Sequence, residues 1–180
     1  MILRPASALV GADLHIRLKR HTDTSASLTL TRRDGTVTWQ RQKGSLALVF
    51  PRHDLTHYAI ESTLGYRSAF YGLVADGWEI ADFATPWPRG PIPVEAREVE
   101  MLVGLFDGMR PERATWNAAD INRQLEQLVV ESKFTHITPR VLADDDVAAV
   151  RQLRNSVLER WHATEPGNAL ELEFNRRIDD

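Results

Sequence analysis

The sequence contains no cysteine. This absence excludes disulfide bonds, thiolate metal sites and cysteine nucleophiles, so any metal ligands must be histidines and carboxylates. The sequence also lacks a run of about 20 apolar residues, the length that a transmembrane helix requires. Arg4 and Pro5 interrupt the apolar stretch near the N-terminus where a signal peptide would have its apolar core. We therefore expect a cytoplasmic protein that does not bind membranes.

No charge of one sign dominates the chain. Lys and Arg together number 22 and Asp and Glu number 25, which gives a formal net charge of −3. A protein with this balance has no overall positive field to attract a phosphate backbone, so nucleic acid is not an expected partner. Glycine-rich phosphate loops, Gly-x-Ser-x-Gly elbows and dinucleotide-binding fingerprints are missing as well.

The composition that remains is typical of a globular protein. The chain has 180 residues, of which 43% are hydrophobic and 26% charged, and this length suits one domain with one core. We predict a single domain over residues 1–180, with a β-rich part (1–50) and a helical part (51–168). A proline-rich connector (86–93) interrupts the helical part, because its four prolines disfavour regular hydrogen bonding.

Alternating apolar and polar residues predict strands in the N-terminal part. The alternation runs through residues 13–19, 27–33 and 36–42, as expected for strands with one solvated face. Asp34 and Gly35 separate the second and third strands and suit a two-residue type I′ turn. The continuous apolar run 45–50 predicts a fourth, more buried strand. Together these patterns indicate an antiparallel sheet of about four strands.

The remaining patterns are helical. Pro51 suits the first turn of a helix that ends near Gly65, and a short helix over 68–76 should stop at Gly77. Apolar residues at spacings of three and four predict helices over 94–107, 116–133 and 144–161. The alternation in 169–174 predicts a last strand at the edge of the sheet. The predicted fold class is α+β, with the antiparallel sheet packed against the helices.

One helical segment carries a set of residues that could bind a metal. His53, His57 and Glu61 are spaced at i, i+4 and i+8, so they form one stripe along the predicted helix. Neighbouring side chains on such a stripe are close enough for two imidazoles to bind one ion. Two imidazoles with a carboxylate suit Zn, Fe, Mn or Ni. Glu61 is an alternative hydrogen-bond acceptor that would orient His57.

The segment His53-Asp-Leu-Thr-His57 resembles the His-Glu-x-x-His motif of zinc metallohydrolases over its five residues. Asp54 stands where those enzymes carry glutamate and is one methylene shorter. The resemblance implies that His53 and His57 bind the metal and that Asp54 acts as the general base. A further ligand from a later segment is then expected, and Glu79 or Asp82 could supply it.

Six aromatic residues follow or accompany the histidine stripe, and most of them are expected in the core. Two of them, Tyr58 and Tyr71, could hydrogen-bond a small-molecule ligand. The full set is Tyr58, Tyr66, Phe70, Tyr71, Trp78 and Phe83.

Three hypotheses follow from these patterns. In the first, the chain is a metal-binding protein or hydrolase that acts on a small polar substrate. In the second, it is a non-enzymatic binding or protein-interaction module, in which Asp54 only complements the helix dipole and His57 pairs with Glu61 at the surface. In the third, the apolar seam of the C-terminal helices forms a homodimer. A concave site on which a distant carboxylate converges would favour the first hypothesis over the second.

Overall fold

Four antiparallel strands form one sheet in the computed structural model, which describes residues 11–85, 89–108, 115–132 and 137–176. The strands are β1 (Leu14–Arg20), β2 (Ala26–Arg32), β3 (Val37–Gln42) and β4 (Ala169–Phe174), in the spatial order β3-β2-β1-β4. The C-terminal strand therefore pairs with β1 at the edge of the N-terminal hairpins, as predicted.

The strand register gathers apolar side chains on one face of the sheet. In β1, Leu14, Ile16 and Leu18 are buried, and Ile16 lies opposite Leu30 of β2 and Leu172 of β4. Because side chains alternate between the two faces of a strand, these residues all point toward the same side. The helices cover that side, and the polar residues between them face away from the core.

The turn between β2 and β3 differs from the predicted type I′ turn. Among the described residues only Gly35 of this turn has a positive φ, 85°, whereas type I′ requires positive φ at Asp34 as well. The N–H of Gly35 donates to the carbonyl of Arg32, and the N–H of Arg32 donates to the carbonyl of Thr36. The loop thus has three residues and ends with a glycine in the left-handed region. The Asp34 carboxylate accepts hydrogen bonds from Thr36, which stabilise this alternative.

The predicted buried strand over 45–50 is wrong. Helix α1 spans Leu46–Leu64 and includes this run, with Leu48 79% and Val49 58% exposed. Pro51 accordingly lies inside the helix and not in its first turn. A short apolar run is compatible with either a strand or a helix, and here the helix continues backward to Ser45. The predicted end is confirmed, because Gly65 closes α1 in a left-handed conformation.

The other predicted helices are present with small differences at their ends. They are α2 (Phe70–Ala75), α3 (Val94–Asp107), α4 (Ala118–Glu131) and α5 (Asp144–His162), and a short 3-10 helix covers Ile80–Phe83. The proline-rich connector lies partly outside the described residues, since 86–88 are not among them. Residues 89–93 form neither helix nor strand.

Helix α1 lies at the centre of the fold and determines where the polar stripe is placed. It packs chiefly against α5 and α3, and it also contacts α2 and strands β2 and β3. Leu55 of α1 belongs to the apolar cluster under the sheet, whereas Ile60 and Leu64 belong to a second cluster with α3, α4 and α5. The polar side chains of His57 and Glu61, which lie between these apolar positions, are consequently buried. None of the helices in the described part of the chain is long and apolar enough to cross a membrane.

Candidate metal centre

The polar stripe of α1 lies largely inside the protein. His57 and Glu61 are 2% and 1% exposed, and His53, one turn earlier, is half-buried. The rings of His53 and His57 lie 4.8 Å apart between their centroids. Helical periodicity placed these residues on one face, and residues of α2 and α3 pack against that face.

A glutamate from α3 completes the group. Oε1 of Glu100 lies 3.1 Å from Nε2 of His57, and its Oε2 lies 3.9 Å from Nε2 of His53. One ligand atom from each of the three residues lies within 4.8 Å of the others. Sequence reasoning missed Glu100, because it is one of several glutamates on α3 and no local spacing relates it to the histidines.

Each histidine also contacts a second carboxylate through its other nitrogen. Nδ1 of His57 is 3.2 Å from Oε1 of Glu61, and Nδ1 of His53 is 3.4 Å from Oδ2 of Asp107. The contact of His57 with Glu61 is at hydrogen-bond distance, and that of His53 with Asp107 is a longer ion pair. This arrangement leaves both Nε2 atoms directed toward Glu100, which is how metal-binding histidines are commonly oriented.

Two imidazoles and one carboxylate form a ligand set known for zinc and for other transition metals. A tetrahedral ion with bonds of about 2.1 Å holds its ligand atoms roughly 3.4 Å apart. The ligand atoms of His53, His57 and Glu100 lie up to 4.8 Å apart, so shifts of about 1 Å in the side chains would bring them to this spacing.

No family model, curated protein or solved structure matches the chain. Function must therefore be inferred from the site itself.

Asp107 is held in place by residues from two other helices. Its Oδ1 accepts hydrogen bonds from Thr56 of α1, at 2.6 Å, and from Arg154 of α5, at 3.1 Å. Partial burial tends to raise the pKa of Asp107, but the bonds from His53, Thr56 and Arg154 outweigh burial and lower it. Asp107 thus remains an ionised acceptor for His53.

The electrostatics favour a cation between the carboxylates. Burial alone would lower the pKa of His57, yet its hydrogen bonds to Glu100 and Glu61 raise that pKa to about 10. The same contacts hold the pKa of Glu100 below its ordinary value despite burial. Burial raises the pKa of Glu61, against the effect of His57. In the metal-free protein, His57 therefore favours its protonated form between Glu61 and Glu100. A metal ion would replace the proton on its Nε2.

Asp54 is 4% exposed and lies beside the histidines, and its carboxyl receives none of the hydrogen bonds found among the described residues. Burial raises the pKa of Asp54 to about 7, although His53 and His57 act in the opposite direction. Asp54, both histidines and Glu100 line a common cavity of about 290 Å³, together with Phe70 and Phe83. The site is concave, and a carboxylate distant in sequence converges on it.

The other predicted acidic ligands have different partners. Glu61 does not join the three converging residues; its Oε2 accepts the backbone N–H of Tyr71, and its Oε1 contacts Nδ1 of His57. Glu79 lies 3.0 Å from the buried guanidinium of Arg32 in β2, and it caps the start of the 3-10 helix. Glu100 thus stands in the place proposed for Glu79. Asp82, the alternative to Glu79, accepts the backbone N–H of Glu79.

The two predicted ligand-binding tyrosines bond to the backbone. The hydroxyl of Tyr58 donates to the carbonyl of Glu173, and that of Tyr71 donates to the carbonyl of Asp54. Tyr71 is completely buried and packs against α1. It is not among the residues that line the metal-site cavity.

Proposed function

We propose that the chain binds a divalent transition metal through His53, His57 and Glu100 and that it is a hydrolase. The observation that carries the metal proposal is the orientation of the two imidazoles. Both Nε2 atoms face Glu100, while each Nδ1 atom is occupied by its own carboxylate. Histidines that bind a metal commonly have a carboxylate beside the ring nitrogen that does not face the metal. Histidines on a surface helix need no such carboxylate.

The geometry is suited to an open, catalytic site. Three protein ligands leave at least one position of a tetrahedral ion for water or substrate. A bound metal lowers the pKa of such a water and makes it a nucleophile at neutral pH. Asp54 lines the same cavity and is our candidate for accepting and returning the proton, in agreement with the role that the motif resemblance implies.

A non-enzymatic binding module is the second candidate, and one observation favours it. His57 is fully satisfied without a metal, because Glu61 and Glu100 flank its two nitrogens. The cluster would then be a buried ion-pair network that joins α1 to α3. The two candidates make opposite predictions about metal content.

The first test is the metal content of untagged protein purified without chelators, followed by titration of the metal-free protein with Zn²⁺, Mn²⁺, Fe²⁺ and Ni²⁺. We expect near-stoichiometric metal in the wild type and its loss in Glu100→Gln, which keeps the shape of the side chain and removes its charge. His162→Ala is the matched control, because this histidine lies at the end of α5 outside the cluster.

No metal in the wild type, with an unchanged melting temperature after metal addition, would overturn the proposal and favour the binding module. If metal binds, the loaded protein should be screened against esters, amides and phosphoesters. Asp54→Asn is then expected to retain the metal and to lose hydrolysis about 10²–10⁴-fold. Equal activity in this variant would remove Asp54 from the mechanism.

A further inference from the structure

A large groove adjoins the candidate metal centre. Its volume is about 680 Å³, which lies within the range of small-molecule sites. The apolar lining includes Phe70, Phe83, Ile92, Met101, Leu105 and Leu128, and the described charged residues in it are Arg97 and Glu100. A groove of this character binds the apolar part of a ligand.

The groove and the metal-site cavity share part of their walls. Phe70, Phe83 and Glu100 line both. The ring of Phe70 lies 5.6 Å from that of His57 and 5.0 Å from that of Phe83, measured between centroids. Glu100, with its side chain 55% exposed, therefore lies where the two spaces meet. The groove and the metal-site cavity are therefore adjacent at Phe70, Phe83 and Glu100.

Gly104 borders open space in the groove. It lies on α3 one turn after Glu100 and lines the groove. A Cβ atom added at this position would meet no atom within 4 Å, although glycine weakens a helix interior relative to alanine. The space beside Gly104 is therefore vacant volume in the groove and is not required for packing among the described residues.

We propose that the groove recognises the substrate of the metal centre, and that this substrate is a small molecule with an oxygen-donor head and an aliphatic or aromatic tail. The inference rests on the proposed function, since the head is placed by the metal. The tail is placed by Phe70, Phe83 and the face of α3 that carries Met101 and Gly104. This assignment changes the expected substrate from the small polar molecule predicted from the sequence to an amphipathic one.

Alkyl hydroxamates test this assignment, because their head binds divalent metals and their tail length can be varied alone. Affinities of the metal-loaded protein would be measured by calorimetry for unbranched hydroxamates of two, four, six and eight carbons. Each methylene that enters the groove should tighten binding about fourfold. We expect a rise of roughly 250-fold between two and six carbons if all four added methylenes enter the groove.

Gly104→Leu is the variant that should abolish this rise, since a side chain at this position starts in open space and extends into the groove. Its affinity for the metal and for the two-carbon probe should be unchanged. Ser156→Leu is the control, because Ser156 is an exposed residue of α5 that does not line the groove.

The outcomes separate the two proposals. If the metal-loaded protein binds the two-carbon probe but affinity does not depend on tail length, or if Gly104→Leu retains the full rise, the groove assignment is overturned and the metal centre stands. Equal binding of long probes without metal also overturns it, because the groove would then act independently of the centre. Failure to bind any metal overturns both proposals.

Discussion

His53 and His57 each have a carboxylate beside the Nδ1 atom. Glu61 supports His57 from within the same helix, whereas Asp107 supports His53 from the end of α3. Because a carboxylate that accepts from Nδ1–H raises the basicity of the imidazole, these two acidic residues are expected to strengthen metal binding without touching the metal.

Asp107→Asn should therefore weaken metal binding by about 10–100-fold while His53, His57 and Glu100 remain in place. The asparagine amide is neutral, so it attracts the Nδ1 atom of His53 less strongly than the ionised carboxylate of Asp107 does. Affinity can be measured by competition with a chromophoric chelator. Asp145→Asn, at an exposed position in the first turn of α5, is the control. An unchanged affinity in Asp107→Asn would show that this residue serves only the contacts with Thr56 and Arg154.

Asp54 is predicted to make stability depend on pH. Its pKa in the folded protein, about 7, lies above the ordinary value of 3.8. Between these two values the folded state binds more protons than the unfolded state, so the free energy of unfolding falls as the pH rises through this interval. Above pH 7 the buried carboxylate is ionised and destabilises the fold.

In metal-free protein, Asp54→Asn should be more stable than the wild type by a few kcal/mol at pH 8. The advantage should shrink toward zero as the pH is lowered to 4. Urea denaturation of both proteins at several pH values measures this difference, and other titrating groups largely cancel in the comparison. A difference that does not change with pH would mean that Asp54 has an ordinary pKa.

At the scale of elements, the backbone of α2 at Gly72 lies in close contact with the backbone of Arg67, in the segment before this helix. Glu95 of α3 accepts the backbone N–H groups of Arg67 and Ser68, and Glu61 accepts those of Tyr71 and Gly72. A Cβ atom at Gly72 would collide with the backbone carbonyl of Arg67. Glycine is required here by close approach of the backbone and not by a positive φ.

Substituting alanine at Gly72 and at Gly104 should have opposite effects. Gly72→Ala is expected to destabilise the protein by about 1–3 kcal/mol, because a carbonyl group cannot move aside as a flexible side chain can. Gly104→Ala, in open space on α3, should stabilise it by about 0.5–1 kcal/mol. Denaturant unfolding of the two variants provides the comparison. Equal effects at both positions would contradict the close contact at Gly72.

At the scale of the whole molecule, the sheet joins the two ends of the described chain. β4 pairs with β1, and Leu170, Leu172 and Phe174 are buried beneath the sheet. The residues between them, Glu171 and Glu173, face outward. β4 is an edge strand of the sheet, and it follows helices α1–α5 in the sequence. The stability of the N-terminal strands therefore depends on a segment that comes late in the chain.

Leu172→Ala should therefore cost about 2–4 kcal/mol, as expected for a large core side chain replaced by alanine. Glu171→Ala, its neighbour on the opposite face, should change the free energy of unfolding by less than about 1 kcal/mol, because its pairs with His15 and Arg17 are solvent-exposed. Thermal or urea unfolding measures both. A small effect of Leu172→Ala would mean that β4 contributes little to the folded core.

Most elements could be predicted from local pattern. Helix Val94–Asp107 has the same bounds as the stretch in which apolar residues recur every three or four positions. Strand Ala169–Phe174 has the same bounds as the stretch in which apolar and polar residues alternate. Local pattern failed where it was short or ambiguous. The run before Pro51 extends a helix instead of forming a strand, and the loop at Asp34-Gly35 follows the hydrogen bonds of Asp34 to Thr36 instead of the dipeptide preference.

For the candidate site, the sequence alone determined that His53, His57 and Glu61 share one helical stripe, because helical periodicity is a local property. Only the tertiary structure decided which acidic residues meet that stripe. The packing of α3 on α1 brings Glu100 and Asp107 to the histidines, and the buried Arg32 draws Glu79 to the sheet. Which helix faces meet depends on how the apolar surfaces of the whole chain are buried together, and no local spacing contains that information.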